Sequence, residues 1–188
     1  GNDCGLRHYP TEPAEIRATL PLSCCIAHPT VMLRRAALDS LEPYRPSFLH
    51  AEDYDLWLRL AERYDCRNLP EPLLRYRLHG AQISARETEQ RILSALAAQA
   101  LAAHRRAHGS EPSLPICADR SLLQAAGWSE QRIAEAVARR AIGAAYDAIA
   151  QGRPRDARLA SRLAWREPAA PLRAQLRALA VWAQSFVA

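Results

Sequence analysis

The chain has 188 residues, a length typical of one domain or of one small domain with an appendage. Hydrophobic residues make up 49% of it and charged residues 24%, so intrinsic disorder is excluded as its main description. No apolar run approaches the roughly 18 residues that a membrane span needs. The first residues show no basic start followed by an apolar stretch, so we expect a cytoplasmic protein that could lie at the inner face of the membrane.

Basic residues are unevenly distributed along the chain, and all 25 of them are arginine. Residues 1–83 carry a formal net charge of −1, whereas residues 84–188 carry +6. Such a basic segment could face anionic lipid or nucleic acid. Because the arginines lie along predicted helices without interleaved aromatic residues, we expect no nucleic-acid partner.

Five cysteines show neither a CxxC pair nor a Cys/His spacing typical of metal ligands. Cys24 and Cys25 are adjacent, which places them badly for a disulfide with each other. We therefore expect free, buried thiols, in agreement with a reducing compartment.

The first segment, 1–83, is predicted to mix short helices with short strands. Apolar residues at helical spacing indicate the helices, and short apolar runs bounded by turn residues indicate the strands. Two strands are too few for a closed parallel sheet, so this segment is expected to be part of a larger α/β or mixed sheet. The helices are predicted at Glu12 to Leu20 and at Tyr54 to Tyr64, and the strands at Thr30 to Leu33 and Leu73 to Leu78.

The second segment, 84–188, is rich in alanine and predicts helices alone. The expected fold class is therefore a partial α/β region over 1–83 followed by an all-α appendage over 84–188, with helix dominating the total. The predicted helices lie at about 84–107, 119–127, 130–151, 154–166 and 170–187.

One face of the last predicted helix is apolar, and we expect it to pack within the chain. The alternative is that this helix docks on a protein partner or on a membrane surface. The chain would then be a helical interaction module without catalytic activity. The face consists of Leu172, Leu176, Leu179, Ala183 and Phe186, with Trp182 beside it.

Three acids, Glu52, Asp53 and Asp55, fall within four positions at the start of the helix predicted around Tyr54. One carboxylate is enough to cap a helix, so the excess indicates a candidate site, although a capping role stays open. Asp53 and Asp55 also spell a DxD, a pattern that can hold a divalent cation. Residues two apart on a helix point roughly 200° away from each other, so these two cannot easily grip one ion.

Arg77, His79 and Gly80 lie at the end of the second predicted strand. The glycine would let the backbone approach a ligand, while the basic residue and the imidazole could contact it. A lone histidine at a strand end is more often solvated or packed than a ligand, so both interpretations stay open.

Three segments in this order carry a resemblance to a known family. Together they closely resemble the C-terminal half of a family 2 glycosyltransferase of the GT-A type, over about residues 10–90. The segments are HPTVMLRR, YRPSFLHAEDYDLWLRLAERY and LPEPLLRYRLHGAQIS.

The resemblance implies roles for four residues. Asp53 matches the aspartate of the family's acidic xED motif, which serves inverting members as the general base. Glu52 matches the preceding acid and would orient the site. His79 matches a histidine that in many GT-A enzymes reaches the metal or the diphosphate, and Arg77 could neutralise phosphate charge.

The resemblance also implies a cofactor and partners. A complete enzyme would use a divalent metal, Mn²⁺ or Mg²⁺, with His79 as a metal ligand. Its partners would be a nucleotide sugar and a saccharide or lipid-linked acceptor. A peripheral contact with the membrane and a homodimer are both compatible with this interpretation.

The chain departs from the family in its missing donor side. It shows neither a nucleotide-binding βαβ region nor a metal-holding DxD at a strand end. Residues 6–79 contain no glycine, so they offer no glycine-rich loop to cradle a phosphate. We therefore expect the C-terminal portion of a glycosyltransferase, inactive when isolated.

Overall fold

The computed structural model describes residues 5–77, 88–112 and 117–186. Within these ranges the chain forms α-helices and one 3₁₀ turn, His28–Thr30, with no β-strand. The helices are α1 (Pro13–Thr19), α2 (Arg35–Asp39), α3 (Glu52–Ala61), α4 (Thr88–His108), α5 (Arg120–Ala125), α6 (Glu130–Ala150), α7 (Pro154–Arg166) and α8 (Leu172–Gln184).

The predicted α/β region is wrong for the described part of the chain. The first predicted strand begins inside the 3₁₀ turn and continues as irregular chain in which Met32 is 96% exposed. The second has no ladder partner from Leu73 to Arg77, and Leu78 lies outside the described residues. Apolar side chains alone do not make a strand, because its backbone N–H and C=O groups need a neighbouring strand to pair with.

The helix predictions are confirmed over the described residues, with shifts of a few residues at their ends, and residues 84–87 and 187 of the predicted helices lie outside that part of the chain. α3 begins two residues before the predicted start and ends at Ala61, whereas α2 was not predicted. Local chemistry explains several starts. Proline occupies the first turn of α1 and α7, Asp119 caps α5 through the N–H groups of Ser121 and Leu122, and Ser129 caps α6.

A first hydrophobic core lies between α1, α3 and α4. Its largest fully buried side chains include Ile16, Leu56, Trp57 and Leu101. This core fixes α3 against α4, so the start of α3 is held at a defined position on the molecule. Whether the chain divides into two domains at residue 83 stays a prediction.

A second core joins α4, α5, α6, α7 and α8, and a third lies between α6, α7 and α8. The buried side chains along α6 and α7 are mostly alanine, which lets these two helices approach closely. Alanine also has the highest intrinsic helix propensity, so the same residues favour both the helices and their packing.

The apolar face of α8 is exposed, which overturns its predicted packing within the chain. α8 packs on the molecule through Ala178 and Val181, whereas Leu172, Leu176 and Phe186 remain largely exposed to solvent. Across the described ranges, no helix combines the length and apolarity required to cross a bilayer.

Candidate functional site

Asp53 lies in the first turn of α3, at the end of a tightly turned segment. The N–H of Phe48 bonds the carbonyl of Arg45, and the N–H of Ala51 bonds that of Phe48. His50 adopts a left-handed φ of 64°, a conformation that histidine tolerates better than most residues. These turns lead directly into the first turn of α3. The Asp53 side chain there is 26% exposed, so solvent can reach it.

His28 connects Asp53 to a second polar group. Its Nδ1 lies 3.6 Å from Oδ2 of Asp53, and its Nε2 lies 3.1 Å from the hydroxyl of Tyr44. The ring also meets Trp57 edge-on, at 5.9 Å between centroids. The 3₁₀ turn, the loop before α3 and α3 itself therefore contribute one side chain or more each to a single cluster.

Burial raises the pKa of the Asp53 carboxyl above its ordinary value. The backbone N–H of Tyr54, which donates to Oδ1 at 2.7 Å, and the nearby His28 act in the opposite direction, whereas Glu52 adds to the rise. Burial together with the charges of Asp53 and Glu52 also raises the pKa of the Tyr44 hydroxyl. A carboxylate that is partly desolvated in this way binds a proton more readily.

The neighbouring thiols contribute no charge to this cluster at neutral pH. Burial raises the pKa of Cys24 to about 11, and burial also raises that of Cys25. Cys24, Cys25 and Cys66 are free and at least partly buried, as predicted, but the free thiol of Cys117 is exposed.

Asp55 points away from this cluster and is fully buried in an ion network. Arg45 donates to both of its carboxylate oxygens, and Arg59 donates to Oδ2 at 3.0 Å. Arg45 also donates to Glu111 at 2.7 Å. Burial raises the pKa of Glu111, but the hydrogen bonds and charges of Arg45 and Arg105 together bring it below its ordinary value. Asp53 and Asp55 thus serve different surroundings, which agrees with the interpretation that their DxD does not hold one ion.

The structure describes three of the four predicted site residues. Glu52 and Asp53 are neighbours at the start of α3, as the sequence requires. Arg77 has an exposed side chain in the irregular segment that follows, and His79 lies outside the described residues. The structure therefore describes the acidic side of the predicted site and, of the two residues predicted for the donor side, Arg77.

The described residues do not provide a donor set for the expected divalent metal. Within 5–77, 88–112 and 117–186, no group of three or more His, Cys, Asp or Glu side chains is arranged to hold a metal ion. The metal stays an expectation for the complete enzyme.

His28 and Tyr44 were not predicted as site residues. Each lies at the beginning of one of the segments that resemble the family, and this position was the available signal. Their contact joins residues 16 positions apart and depends on the path of the loop between them, which periodicity does not encode.

Comparison with known proteins gives one partial similarity. No family model matches the chain, and no solved structure matches it. Over 70 residues the chain is 41% identical to the O-antigen biosynthesis glycosyltransferase WbnJ of Escherichia coli, a match that covers 35% of this chain. The match spans 26% of that protein's length. This similarity supports a glycosyltransferase relationship for part of the chain, without extending to family 2 or to the GT-A type.

Proposed function

We propose that this chain carries the acceptor side of a glycosyltransferase that moves a sugar from a nucleotide-sugar donor to an acceptor hydroxyl, with inversion and with Asp53 as the general base. The observation that carries the proposal is the Asp53 carboxylate, which is solvent-accessible, partly desolvated and fixed at the start of a packed helix. The partial identity to an O-antigen biosynthesis glycosyltransferase supports the reaction class and favours a bacterial polysaccharide as the product.

In the proposed reaction, the acceptor oxygen attacks the anomeric carbon while Asp53 takes the hydroxyl proton. The bond from that carbon to the diphosphate oxygen breaks, and its electron pair leaves with the nucleoside diphosphate. A general base works best when its pKa approaches the working pH, so the rise caused by burial favours this role for Asp53.

The donor side of the proposal rests on the sequence resemblance. Arg77 and His79 would bind the diphosphate, and Glu52 would orient the acidic side. The divalent metal, Mn²⁺ or Mg²⁺, stays part of the proposal for the complete enzyme, and no step above depends on it.

The test uses the polypeptide that the complete gene encodes, supplied with UDP-, GDP- and dTDP-sugars and a lipid-linked or saccharide acceptor. Asp53→Asn should lower kcat by about 10²- to 10⁴-fold, the usual contribution of a general base. Asp65→Asn is the matched control, because Asp65 lies in an exposed ion pair with Arg17. Transfer by Asp53→Asn within about threefold of the wild type would contradict the proposal.

The chain of residues 1–188 by itself should transfer no sugar at a measurable rate, because residues 6–79 offer no glycine-rich phosphate loop. Calorimetric titration with UDP, GDP and dTDP in the presence of Mn²⁺ measures any donor site that it retains. Metal-dependent binding that weakens in His79→Ala would support the role of His79. Measurable transfer by the isolated chain would contradict its expected inactivity.

A second candidate function is a contact with an anionic membrane surface through α8. It is favoured by the exposure of Leu172 and Leu176, which alternate with Arg173 and Arg177 on a helix that contains no acidic residue. Binding to phosphatidylglycerol vesicles should weaken in a Leu172→Gln/Leu176→Gln variant. It should persist in Leu159→Gln, which changes an exposed leucine of α7, and equal binding by all three proteins would exclude this role for α8.

A further inference from the structure

We infer that His28 and Tyr44 are positioning residues for Asp53: the Tyr44 hydroxyl holds the His28 ring, and the ring holds the carboxylate. This inference rests on the proposed function, because it assigns the two residues a role in the reaction for which Asp53 is the base. Neither residue needs to touch the acceptor or the donor for this role.

The contacts form a continuous chain from solvent to the base. The Tyr44 hydroxyl lies 3.1 Å from Nε2 of His28, and Nδ1 on the other side of the ring lies 3.6 Å from Oδ2 of Asp53. The second distance is longer than a hydrogen bond, and it is within the range of an ion pair when His28 is protonated. A neutral His28 with its proton on Nδ1 presents a donor to the same oxygen. Catalytic contacts are often long in the absence of substrate and shorten when it binds.

Each carboxylate oxygen of Asp53 has a polar neighbour. Oδ1 accepts the N–H of Tyr54 at 2.7 Å, and Oδ2 faces the imidazole. A hydrogen bond at one oxygen and an imidazole facing the other restrain the rotation of the carboxylate, so that it presents a fixed lone pair to an incoming hydroxyl. Holding the reacting groups in one geometry is itself a large part of catalysis.

Either atom of the contact between the Tyr44 hydroxyl and Nε2 can be the donor, and the direction sets the tautomer of a neutral His28. When the hydroxyl donates its proton to Nε2, the remaining ring proton resides on Nδ1 and points toward Asp53. Trp57, which is 1% exposed, meets the imidazole edge-on and limits its rotation. The ring is therefore restrained by a polar contact at one nitrogen and by an aromatic contact along its edge.

The other groups around Asp53 cannot replace this donor. Glu52 is an acid and raises the pKa of Asp53 further, and Cys24 is a neutral thiol at neutral pH because its own pKa is about 11. Among the described side chains, the charge of His28 lowers the pKa of Asp53, whereas that of Glu52 raises it.

The test compares two amides at position 28 in the polypeptide that the complete gene encodes. The amide nitrogen of asparagine can occupy the place of Nδ1 and still donate to Asp53, whereas that of glutamine occupies the place of Nε2. We expect His28→Gln to lower kcat by about 10²-fold with little change in the donor KM, and His28→Asn to retain most of it. Tyr44→Phe, which loses one hydrogen bond, should lower kcat by about tenfold.

A measurement without turnover separates positioning from general stability. In the chain of residues 1–188, a ¹³C NMR titration follows the carboxyl carbon of Asp53. His28→Gln should raise its pKa above the wild-type value, because the neighbour that lowers it is lost, and His28→Asn should raise it less. Thermal unfolding of each variant shows whether it is folded.

The outcomes are distinguishable from failure of the proposed function. If Asp53→Asn transfers sugar normally, the proposed function fails and the positioning roles fail with it. If Asp53→Asn is inactive but folded His28→Gln keeps wild-type kcat and an unchanged Asp53 pKa, the positioning inference alone is overturned. Equal losses in His28→Asn and His28→Gln with an unchanged Asp53 pKa would likewise overturn it.

Discussion

Partial burial of the Asp53 side chain favours its proposed role as a base and at the same time disfavours its ionised form in the folded chain. Desolvation raises its pKa and so makes the carboxylate a better proton acceptor. The same desolvation makes the ionised form costly to keep in the folded chain. A residue that serves a reaction in this way is expected to lower the stability of the molecule that carries it.

We therefore expect Asp53→Asn to change how stability depends on pH. A carboxyl whose folded-state pKa is raised contributes its full stability below its ordinary value of 3.8, and this contribution is lost as the pH rises through the folded-state pKa. The wild type should lose this stability over that interval, and Asp53→Asn should not. Urea unfolding in small pH steps measures the difference.

Asp65→Asn provides the reference for that series, because the side chain of Asp65 is 69% exposed. Its unfolding free energy should follow that of the wild type across the same pH interval. If Asp53→Asn also follows the wild type, burial does not disfavour the Asp53 carboxylate, and its role as an activated base loses its electrostatic basis.

For single residues, the sequence indicated the acids Glu52 and Asp53 but not His28 and Tyr44, which lie beside Asp53 in the fold. Asp53 and Glu52 stood out because three acids exceed what a helix cap needs, and the family resemblance then assigned them roles. His28 precedes a proline, two residues before the strand predicted at Thr30 to Leu33. Its contact with Tyr44 arises from the loop between the 3₁₀ turn and α3, so only the folded chain places the two together.

At the scale of single elements, α3 carries the candidate base Asp53 on one face and the buried ion-pair residue Asp55 on another. One face carries Asp53 toward the solvent-accessible cluster. The other carries Asp55 into the buried ion network with Arg45 and Arg59. This network also fixes the loop before α3, since Arg59 donates to the backbone carbonyls of Glu42 and Pro43.

Removing the buried carboxylate should therefore destabilise the chain strongly. We expect Asp55→Asn to cost about 3–5 kcal/mol, because two buried arginines lose their charged partner. Asp39→Asn is the matched control, since the Asp39–Arg35 pair on α2 is exposed, and it should cost no more than about 0.5 kcal/mol. The free energy of unfolding in urea, followed by tryptophan fluorescence, measures both, and similar losses would contradict the assignment.

At the scale of single elements, the sequence predicted every helix but α2, whereas its strand predictions were wrong. The 3.6-residue period, the caps and the prolines that begin α1 and α7 act within a few residues, so the sequence contains them directly. A strand depends on a partner that is distant in sequence. The segments around Met32 and Leu73 have apolar side chains suited to a strand, but the described residues pair neither with a neighbour.

At the scale of the whole molecule, the described residues expose more large apolar side chains over 5–77 than over 88–112 and 117–186. Several large hydrophobic side chains of residues 5–77 face solvent although a well-packed core lies beside them. Where exposed apolar side chains adjoin one another, the surface that they form is typical of a contact with another molecule. The side chains include Leu22, Met32, Leu69, Leu73 and Tyr76.

We expect the isolated chain to self-associate through this surface as its concentration rises. A Met32→Glu/Leu73→Glu variant should shift the equilibrium toward monomer, because association would then bury charge. Sedimentation equilibrium measures the shift. The comparison pair, Leu172→Glu/Leu176→Glu on α8, should leave association unchanged, and the reverse result would place the contact on α8 instead.

Because Tyr44 and Arg45 are adjacent in the chain, mutations in the buried ion network should affect the cluster around Asp53 in a temperature-dependent way. One side chain serves the cluster around Asp53, and its neighbour is anchored in the buried network through Asp55 and Glu111. Weakened anchoring would displace Tyr44 only when thermal motion overcomes the remaining contacts. In a random collection of defective alleles, changes at 55 and 111 should therefore be heat-sensitive, whereas changes at 53 should be defective at every growth temperature.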